Sequence, residues 1–108
     1  MVAGEAYRLM TPAEAKELIA GPGVVLLDVR TDEEYASAHI PGALLLPYDR
    51  IDAGTVSVIP AKDSVVVVYC RSGRRSAIAA KALAALGFSH VYDLGGIQDW
   101  PYDTVSGK

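Results

Sequence analysis

Cysteine is nearly absent from this chain: its 108 residues include a single copy, Cys70. One thiol excludes a disulfide within the chain, and it excludes a zinc site built from several cysteines. We expect neither a bound metal nor a cofactor. The lone thiol is therefore the feature whose chemical setting the rest of the sequence has to explain.

Positive charge is also scarce, because 10 lysines and arginines stand against 13 aspartates and glutamates and give a net charge of −3. Such a chain has no broad basic field to hold nucleic acid and no polybasic patch for a membrane surface. Uninterrupted apolar runs fall short of the roughly 18 residues that a membrane span needs, and residues 1–5 lack the features of a signal peptide. The sequence thus predicts a cytoplasmic protein that binds neither nucleic acid nor membranes.

The chain does contain enough apolar residues for one core. Hydrophobic residues make up 51% and charged residues 21%, which is close to ordinary globular usage. A length of 108 residues fits one domain and leaves no room for a second. We therefore predict a single domain over residues 1–108.

Two helices begin with the same sequence pattern. Thr11 followed by Glu14, and Thr31 followed by Glu34, have the Thr-x-x-Glu spacing of a capping box, in which each residue satisfies a backbone N–H of the other. The second helix should end before Pro41, since proline and the glycine after it break a helix.

Strands and a further helix alternate along the rest of the chain. Apolar and β-branched runs predict strands over 24–29, 65–69 and 91–94. An alanine-rich stretch predicts a helix over 76–86, with Gly87 as the left-handed residue that ends it. This alternation predicts an α/β domain with a mainly parallel sheet and helices on both faces.

The predicted topology indicates where a ligand should bind. In parallel sheets ligands lie at the carboxyl ends of the strands, because the loops that leave those ends enclose a crevice. Cys70 stands at that end of its predicted strand, and Arg30 stands at the same end of another. We therefore expect the functional site there.

The segment that begins at Cys70 concentrates groups that bind anions. A loop that joins a strand to a helix N-terminus turns its backbone N–H groups into one concavity, and the helix dipole adds positive potential. These groups stabilise a thiolate, so Cys70 is a candidate nucleophile, although a buried structural cysteine is the alternative. The candidates for binding an anionic substrate are the residues that follow it: Arg71, Ser72, Gly73, Arg74, Arg75 and Ser76.

Four segments together resemble those of the rhodanese family of sulfurtransferases, in the same order and at the family's spacing. The resemblance covers nearly the whole chain and implies a three-layer fold, with a five-stranded, mainly parallel sheet between helices. The segments are LDVR at 27–30 with Glu-Tyr at 34–35, HIPGA at 39–43, CRSGRRS at 70–76, and GGI at 95–97 with Trp100.

The resemblance also implies a role for Cys70 as the residue that accepts sulfur. Its thiolate would attack the outer sulfur of a donor such as thiosulfate, expel sulfite, and hold a persulfide for transfer to cyanide or a thiol. Backbone N–H groups from Arg71 to Arg75 would hold the persulfide, and the arginines would attract the donor anion. Since the chain has no second thiol, the acceptor must come from outside: a small molecule or a partner protein.

Two other functions remain as alternatives. The related phosphatase signature has an arginine six positions after the cysteine, whereas here Ser76 stands at that position and Arg75 falls one residue short. A small phosphatase or arsenate reductase is therefore less favoured than a sulfurtransferase. A sulfur carrier or regulatory binding module would keep the same fold and loop but would act through contacts with other proteins.

Outside the loop, Asp28 and Arg30 are predicted to form a charge pair that supports the cysteine site. A salt bridge between Arg30 and Glu34 is the alternative. His39 is predicted to be structural, and Trp100 is predicted to cover the core, because so short a chain needs large apolar side chains to close it.

Overall fold

The computed structural model describes residues 7–107. The expectation for residues 1–5 lies outside the described residues, and a single domain over residues 1–108 stays a prediction. No helix within 7–107 is long and apolar enough to cross a membrane. The cytoplasmic location likewise stays a prediction.

The described residues form five strands, three α-helices and three short 3-10 turns. The strands are β1 (Tyr7–Leu9), β2 (Val24–Asp28), β3 (Leu44–Leu45), β4 (Val65–Cys70) and β5 (His90–Gly96). The helices are α1 (Pro12–Ile19), α2 (Asp32–Ser37) and α3 (Arg74–Ala85), and the 3-10 turns are Tyr48–Arg50, Thr55–Val58 and Ile97–Asp99.

The five strands form one parallel sheet in the order β1-β5-β4-β2-β3. The central strand β4 pairs with β2 on one side, from Val24 opposite Val65, and with β5 on the other, ending with Cys70 opposite Gly96. Because all strands run the same way, the carboxyl ends of β2, β4 and β5 lie side by side. Cys70 therefore lies in the middle of the sheet's carboxyl end.

Side chains of β4 alternate between two cores. Val66, Val68 and Cys70 lie in the core that α3 covers, whereas Val67 and Tyr69 lie in the core that α1 and α2 cover. All are essentially inaccessible to solvent, and burying an aliphatic side chain of this kind contributes roughly 1.5–3 kcal/mol. The predicted α/β architecture, with helices on both faces of the sheet, is confirmed.

Both capping boxes are present as predicted. The hydroxyl of Thr11 accepts the backbone N–H of Glu14 at 3.2 Å, and the Glu14 carboxylate accepts the backbone N–H of Thr11 at 2.9 Å. Thr31 and Glu34 repeat this exchange at the start of α2 with distances of 3.2 and 3.0 Å. Each pair satisfies two N–H groups that a helix end would otherwise leave without partners.

Strand β1 was not predicted. It has only three residues, two of them exposed, and it lies at the edge of the sheet beside β5. A segment this short carries no measurable alternation of apolar and polar residues, so its strand conformation is set by pairing with Val91 to Asp93. Strand β1 therefore forms because of its tertiary contact with β5, and the local sequence pattern does not predict it.

Four boundaries differ from the predicted ones by a single residue, and two differ by two residues; glycine explains these two. Helix α3 begins at Arg74 and not at Ser76, because Gly73 adopts a φ of 115° and turns the chain into the helix directly. Strand β5 continues to Gly96, beyond the predicted end at 94. A register shift between Val68 and Tyr69, with Gly95 at a φ of 93°, allows the strand to go on pairing with β4.

Candidate active site

Cys70 lies at the end of the central strand, with its side chain in the α3 core and 1% of the residue exposed. Strand β4 pairs with β5 as far as Cys70 itself and with β2 as far as Tyr69, which fixes the backbone that carries the sulfur. The backbone N–H of Gly73 donates to Cys70 Sγ across 3.0 Å. The thiol is therefore held at one place with a hydrogen-bond donor aimed at it.

The residues from Cys70 to Ser76, here called the Cys70 loop, make a tight turn around the sulfur. Gly73 is the residue that permits it, because its φ of 115° lies in a region that side chains with a Cβ rarely adopt. Helix α3 starts at the next residue, so its unpaired N-terminal N–H groups and its dipole are directed at this turn.

The Cys70 loop rests directly on the end of β5. A Cβ added to Gly96 would overlap the carbonyl oxygen of Arg71 and would lie 2.8 Å from the Cα of Ser72. The backbone N–H of Gln98 donates to the same Arg71 carbonyl at 3.3 Å. Gly96 therefore sets how closely the loop approaches the sheet, a role that sequence analysis did not assign, although the Gly-Gly pair was its signal.

The surroundings of the sulfur favour its ionised form. Burial raises the pKa of the Cys70 thiol, but hydrogen bonds from the Ser76 hydroxyl and from the backbone N–H groups of Ser76, Gly73 and Ser72 lower it by more. The pKa of Cys70 consequently lies below its ordinary value. A buried thiolate that is stabilised by several donors is the chemistry of a nucleophile and of a good leaving group.

The Ser76 hydroxyl helps to lower the pKa of Cys70, which its position in the loop did not reveal. The Ser76 side chain is fully buried, and its hydroxyl donates to the Gly73 carbonyl oxygen at 3.0 Å. The same hydroxyl is within hydrogen-bonding reach of Cys70. A hydroxyl has one proton, so the carbonyl holds this side chain in place while the sulfur competes for the proton once it is ionised.

The three arginines of the loop have different surroundings. Arg71 and Arg74 are exposed, and the Arg74 guanidinium lies 5.9 Å from the centre of the Tyr48 ring. Arg75 instead makes a two-pronged ion pair with Glu34 of α2, at 2.8 and 2.9 Å. This pair holds the pKa of Glu34 at about 2, chiefly through the hydrogen bonds from Arg75, although burial opposes the shift.

The predicted charge pair at the end of β2 is present. The guanidinium of Arg30 donates through Nε to Asp28 Oδ1 at 2.9 Å and through Nη2 to Asp28 Oδ2 at 2.6 Å. Both residues are buried. The alternative salt bridge between Arg30 and Glu34 does not form, because Glu34 pairs with Arg75.

Tyr69 extends this charge pair into a buried network. Its hydroxyl donates to Asp28 Oδ2 at 2.8 Å and accepts the backbone N–H of Ile40 at 3.0 Å, while Arg30 donates to the Ala38 carbonyl at 2.6 Å. Burial and the negative charge of Asp28 hold the pKa of Tyr69 above its usual value. The network ties residues 38–40 to the sheet, and support of the cysteine site by Asp28 and Arg30 stays a prediction.

His39 and Trp100 have the structural surroundings that were predicted. The His39 ring stacks on Tyr35 with centroids 3.7 Å apart, and the His39 backbone pairs with Val105 through bonds of 2.8 and 2.9 Å. Trp100 packs against the core that α1 and α2 cover, and it donates its ring N–H to the Asp103 carbonyl at 3.1 Å. These contacts fasten the end of the described chain onto the domain.

The predicted site residues therefore fall into three groups. Those whose donors surround the sulfur of Cys70 are Ser72, Gly73 and Ser76; those that present charge at the surface are Arg71 and Arg74; and those engaged in ion pairs are Arg75, Asp28 and Arg30. Glu34 was predicted as a helix cap, with a salt bridge to Arg30 as the alternative. Its contact with Arg75, 41 positions along the chain, has no local sequence signal.

Comparison with known proteins gives a consistent result. The family model described as Rhodanese-like domain matches residues 11–102. Thiosulfate sulfurtransferase PspE of Escherichia coli (strain K12) is 35% identical over 81 residues, which are 75% of this chain and 78% of that protein. A protein named Sulfurtransferase from Allochromatium vinosum is 47% identical over 78 residues, 71% of each chain. Longer relatives also match, and the aligned part is 24% of their length.

The solved structures agree with the sequence comparison. The structure described as rhodanese with anions from E. coli matches with a TM-score of 0.72 and 33% identity. The match covers 78% of this chain and 99% of that one. The two chains share the fold over nearly the full length of the solved protein.

Proposed function

This chain belongs to the rhodanese-like family, and on that premise we propose that Cys70 accepts a sulfane sulfur from thiosulfate or a persulfide donor and passes it to a thiophilic acceptor such as cyanide or a thiol. The coarser activity, rhodanese-type sulfur transfer, follows from the family and from relatives named as sulfurtransferases. The identity of the donor and of the acceptor is the proposal.

One observation carries the proposal: several hydrogen-bond donors converge on a single sulfur atom. The Gly73 N–H lies 3.0 Å from Cys70 Sγ, and further donors from Ser72 and Ser76 help to hold the thiol pKa below its ordinary value. The same donors suit the terminal sulfur of a persulfide, which also carries negative charge. A purely structural cysteine needs none of them.

The first step is a displacement at sulfur. The Cys70 thiolate attacks the outer sulfur of thiosulfate, a new S–S bond forms, and the bond between the two thiosulfate sulfurs breaks. Its electron pair leaves with sulfite. Sulfite is stable as an anion, so the step demands no general acid. The exposed cations of Arg71 and Arg74 draw the donor anion towards the loop.

The second step returns the enzyme to its resting state. An acceptor thiolate or cyanide attacks the outer sulfur of the persulfide, and Cys70 leaves as a thiolate that the loop donors stabilise. The sequence contains no second cysteine, so this discharge depends on an acceptor from outside the chain.

The site is less suited to a phosphatase or arsenate reductase. Those enzymes need an arginine that closes over a tetrahedral oxyanion. Here the guanidinium of Arg75 binds both carboxylate oxygens of Glu34. A sulfur carrier or regulatory binding module would use the same persulfide, and differs from the proposal only in handing the sulfur to a protein.

Intact-protein mass spectrometry tests the proposal directly. The parent and Cys70→Ser are incubated with thiosulfate in the absence of reductant. We expect a gain of about 32 Da on the parent alone, the mass of one sulfur atom, which cyanide removes with release of thiocyanate. Circular dichroism verifies that the variant keeps the fold.

Two results would count against the proposal. Sulfur transfer by Cys70→Ser above background would show that another group carries the sulfur. No mass gain on a folded parent with a free thiol, whatever sulfur donor is offered, would favour the phosphatase-like or protein-binding function instead.

A further inference from the structure

A groove of about 570 Å³ lies beside the Cys70 loop. It runs between α2 and the 3-10 turn that follows β5. Arg71, the residue next to the nucleophile, forms part of its wall, and the backbone N–H of Gln98 in that wall donates to the Arg71 carbonyl at 3.3 Å. The groove therefore includes the residue that directly follows Cys70 and the turn that contacts the Cys70 loop.

The charges in the groove wall divide into paired and unpaired ones. Arg30 pairs with Asp28, and Glu34 pairs with Arg75, so these ions are neutralised by the protein itself. Arg71 and Glu33 also line the groove and are exposed, and within residues 7–107 neither forms a salt bridge. One free cation and one free anion remain.

Polar groups without charge complete the wall. The side chains of Ser37, Gln98 and Thr104 lie along the groove and can donate or accept hydrogen bonds. The only wholly apolar side chains of the wall are Ala38 and Ile97. The groove thus resembles neither an apolar docking surface nor a site for a simple anion, since a ligand of one charge would meet Arg71 or Glu33 as a repulsive neighbour.

We propose that this groove binds the amino-acid head group of a thiol acceptor, with the carboxylate of the acceptor at Arg71 and its ammonium at Glu33. The inference rests on the proposed function and specifies its acceptor: a thiol amino acid such as cysteine. A zwitterion satisfies both free charges at once, whereas a neutral thiol satisfies neither. Because Arg71 adjoins Cys70, the bound acceptor carries its own sulfur to the neighbourhood of the persulfide.

The transfer itself is balanced without an oxidant or reductant. The acceptor thiol loses its proton to water, and the thiolate attacks the outer sulfur of the persulfide. The bond to that sulfur forms as the bond to Cys70 Sγ breaks. The electron pair of the broken bond stays on Cys70, which becomes a thiolate, and the acceptor leaves as a persulfide.

A single-turnover discharge assay tests the inference. The protein is loaded with thiosulfate, its persulfide is verified by mass, and excess donor is removed. The loaded protein is then mixed with L-cysteine, L-cysteine methyl ester, N-acetyl-L-cysteine or 2-mercaptoethanol. L-cysteine carries both the ammonium and the carboxylate. The methyl ester keeps only the ammonium, N-acetyl-L-cysteine keeps only the carboxylate, and 2-mercaptoethanol has neither. Loss of the extra sulfur mass is followed in time, and each rate is divided by the rate of the same thiol with a small free disulfide at the same pH, which cancels differences in thiolate fraction and in nucleophilicity.

We expect L-cysteine to discharge the persulfide about three- to fivefold faster than each singly charged analogue, and those to be faster than 2-mercaptoethanol by a similar factor. These ratios correspond to the modest free energy of one exposed ion pair for each charge. Raising the salt concentration should reduce them, because exposed charges are screened.

Glu33→Gln identifies the partner of the ammonium group. This variant should slow discharge by L-cysteine and its methyl ester about three- to fivefold, and should leave discharge by 2-mercaptoethanol unchanged. Glu17→Gln is the matched control: Glu17 is an exposed glutamate of α1 that lies outside the groove wall. It should leave all four rates unchanged.

The outcomes separate this inference from the proposed function. Equal normalised rates for the four thiols would overturn the head-group site while leaving sulfur transfer intact. So would a Glu33→Gln variant with the parent's preferences. Failure of the persulfide to form at the loading stage would overturn the proposed function before the groove is tested.

Discussion

Tyr69 and Cys70 are neighbours on β4, but their side chains lie in cores on opposite faces of the sheet. The pKa of Tyr69 is raised, whereas the pKa of Cys70 is lowered. Burial raises the pKa of both side chains. For Tyr69 the negative charge of Asp28 adds to that effect, and the hydroxyl stays protonated as a hydrogen-bond donor. For Cys70 the donors of Ser76, Gly73 and Ser72 outweigh burial and lower the pKa.

One strand thus contributes a buried polar network on one face and the candidate nucleophile on the other. On the Tyr69 face, each buried charge has a partner of opposite charge, and the network is closed. On the Cys70 face, donors converge on a sulfur atom that has no counter-ion of its own, so they stabilise the negative charge of the thiolate and of the persulfide. Closed networks stabilise the fold, and convergent donors with no fixed anion stabilise a thiolate or persulfide.

Breaking the closed network should have the largest effect on stability. Asp28→Asn keeps the shape of the side chain but leaves the buried Arg30 guanidinium without a counter-ion. We expect the free energy of unfolding to fall by about 3–5 kcal/mol. Urea denaturation followed by circular dichroism measures this, and the rate of sulfur loading per folded molecule tests separately whether the pair also supports the cysteine site.

Asp32→Asn, at an exposed position in the first turn of α2, is the control and should change stability by less than about 1 kcal/mol. If Asp28→Asn fails to fold, Tyr69→Phe removes one hydroxyl from the same network and should cost about 1–3 kcal/mol. A loss below about 1 kcal/mol for Asp28→Asn would mean that the buried pair does not stabilise this face.

Displacing the Cys70 loop should slow sulfur loading more than it destabilises the fold. Gly96→Ala places a methyl group against the Arg71 carbonyl and forces the loop away from β5. We expect the rate of sulfur loading from thiosulfate to fall about 10²-fold, as for a displacement of reacting groups by about 1 Å. The measurement is the rate of mass gain under single-turnover conditions.

Gly95→Ala is the matched control for this effect. Gly95 has a φ of 93° and open space around an added Cβ, so its substitution strains the backbone by about 1–3 kcal/mol without pushing on the loop. Its loading rate should stay near the parent value. Equal loading rates for the two variants would contradict the role given to the close approach at Gly96.

Removing one convergent donor should have a smaller, pH-dependent effect. Ser76→Ala deletes the hydroxyl that lowers the pKa of Cys70, so the pKa rises and the rise of loading rate with pH moves to higher pH. At neutral pH we expect loading about two- to tenfold slower. Ultraviolet absorbance of the thiolate, followed against pH, gives the pKa directly.

Ser72→Ala separates the hydroxyl from the backbone in this experiment. Ser72 contributes only its backbone N–H to the sulfur, so its substitution should leave the Cys70 pKa where it is in the parent. A Cys70 pKa that is unmoved in Ser76→Ala as well would mean that backbone donors alone stabilise the thiolate.

The partly exposed ion pair should give the smallest effect. Glu34→Gln weakens the contact between α2 and Arg75, and we expect a loss of about 0.2–1 kcal/mol at neutral pH. The folded-state pKa of Glu34 is depressed, so the parent's advantage is complete above its ordinary pKa of 4.5 and is lost as the pH falls through about 2. Urea titrations along this pH range would show the two curves converging, and a constant gap would contradict the assignment.

Local sequence signals predicted much of the fold. The two Thr-x-x-Glu boxes, the valine run of β4 and the left-handed Gly87 were all visible in short windows, and the structure has each of them. In each case the physical cause lies within a few residues of the feature. The presence of Cys70 between a strand and a helix was predictable for the same reason.

Features made by distant contacts were not predictable. The engagement of Arg75 depends on Glu34, 41 positions away, and the closeness of Gly96 to the loop depends on how β5 packs against β4. Strand β1 exists only through its pairing with β5. A single sequence specifies which groups are available, and the packing of the sheet decides which of them meet.

Because only 1% of Cys70 is exposed, the rate at which its thiol reacts with a bulky reagent can report how often the surrounding structure opens. We expect a slender donor that ends in a single sulfur atom to reach the thiol through small movements of the loop, and a bulky maleimide to react only during larger openings. Since no other cysteine reacts, its labelling rate counts those openings alone. The proposed nucleophile therefore also reports how often its buried surroundings open.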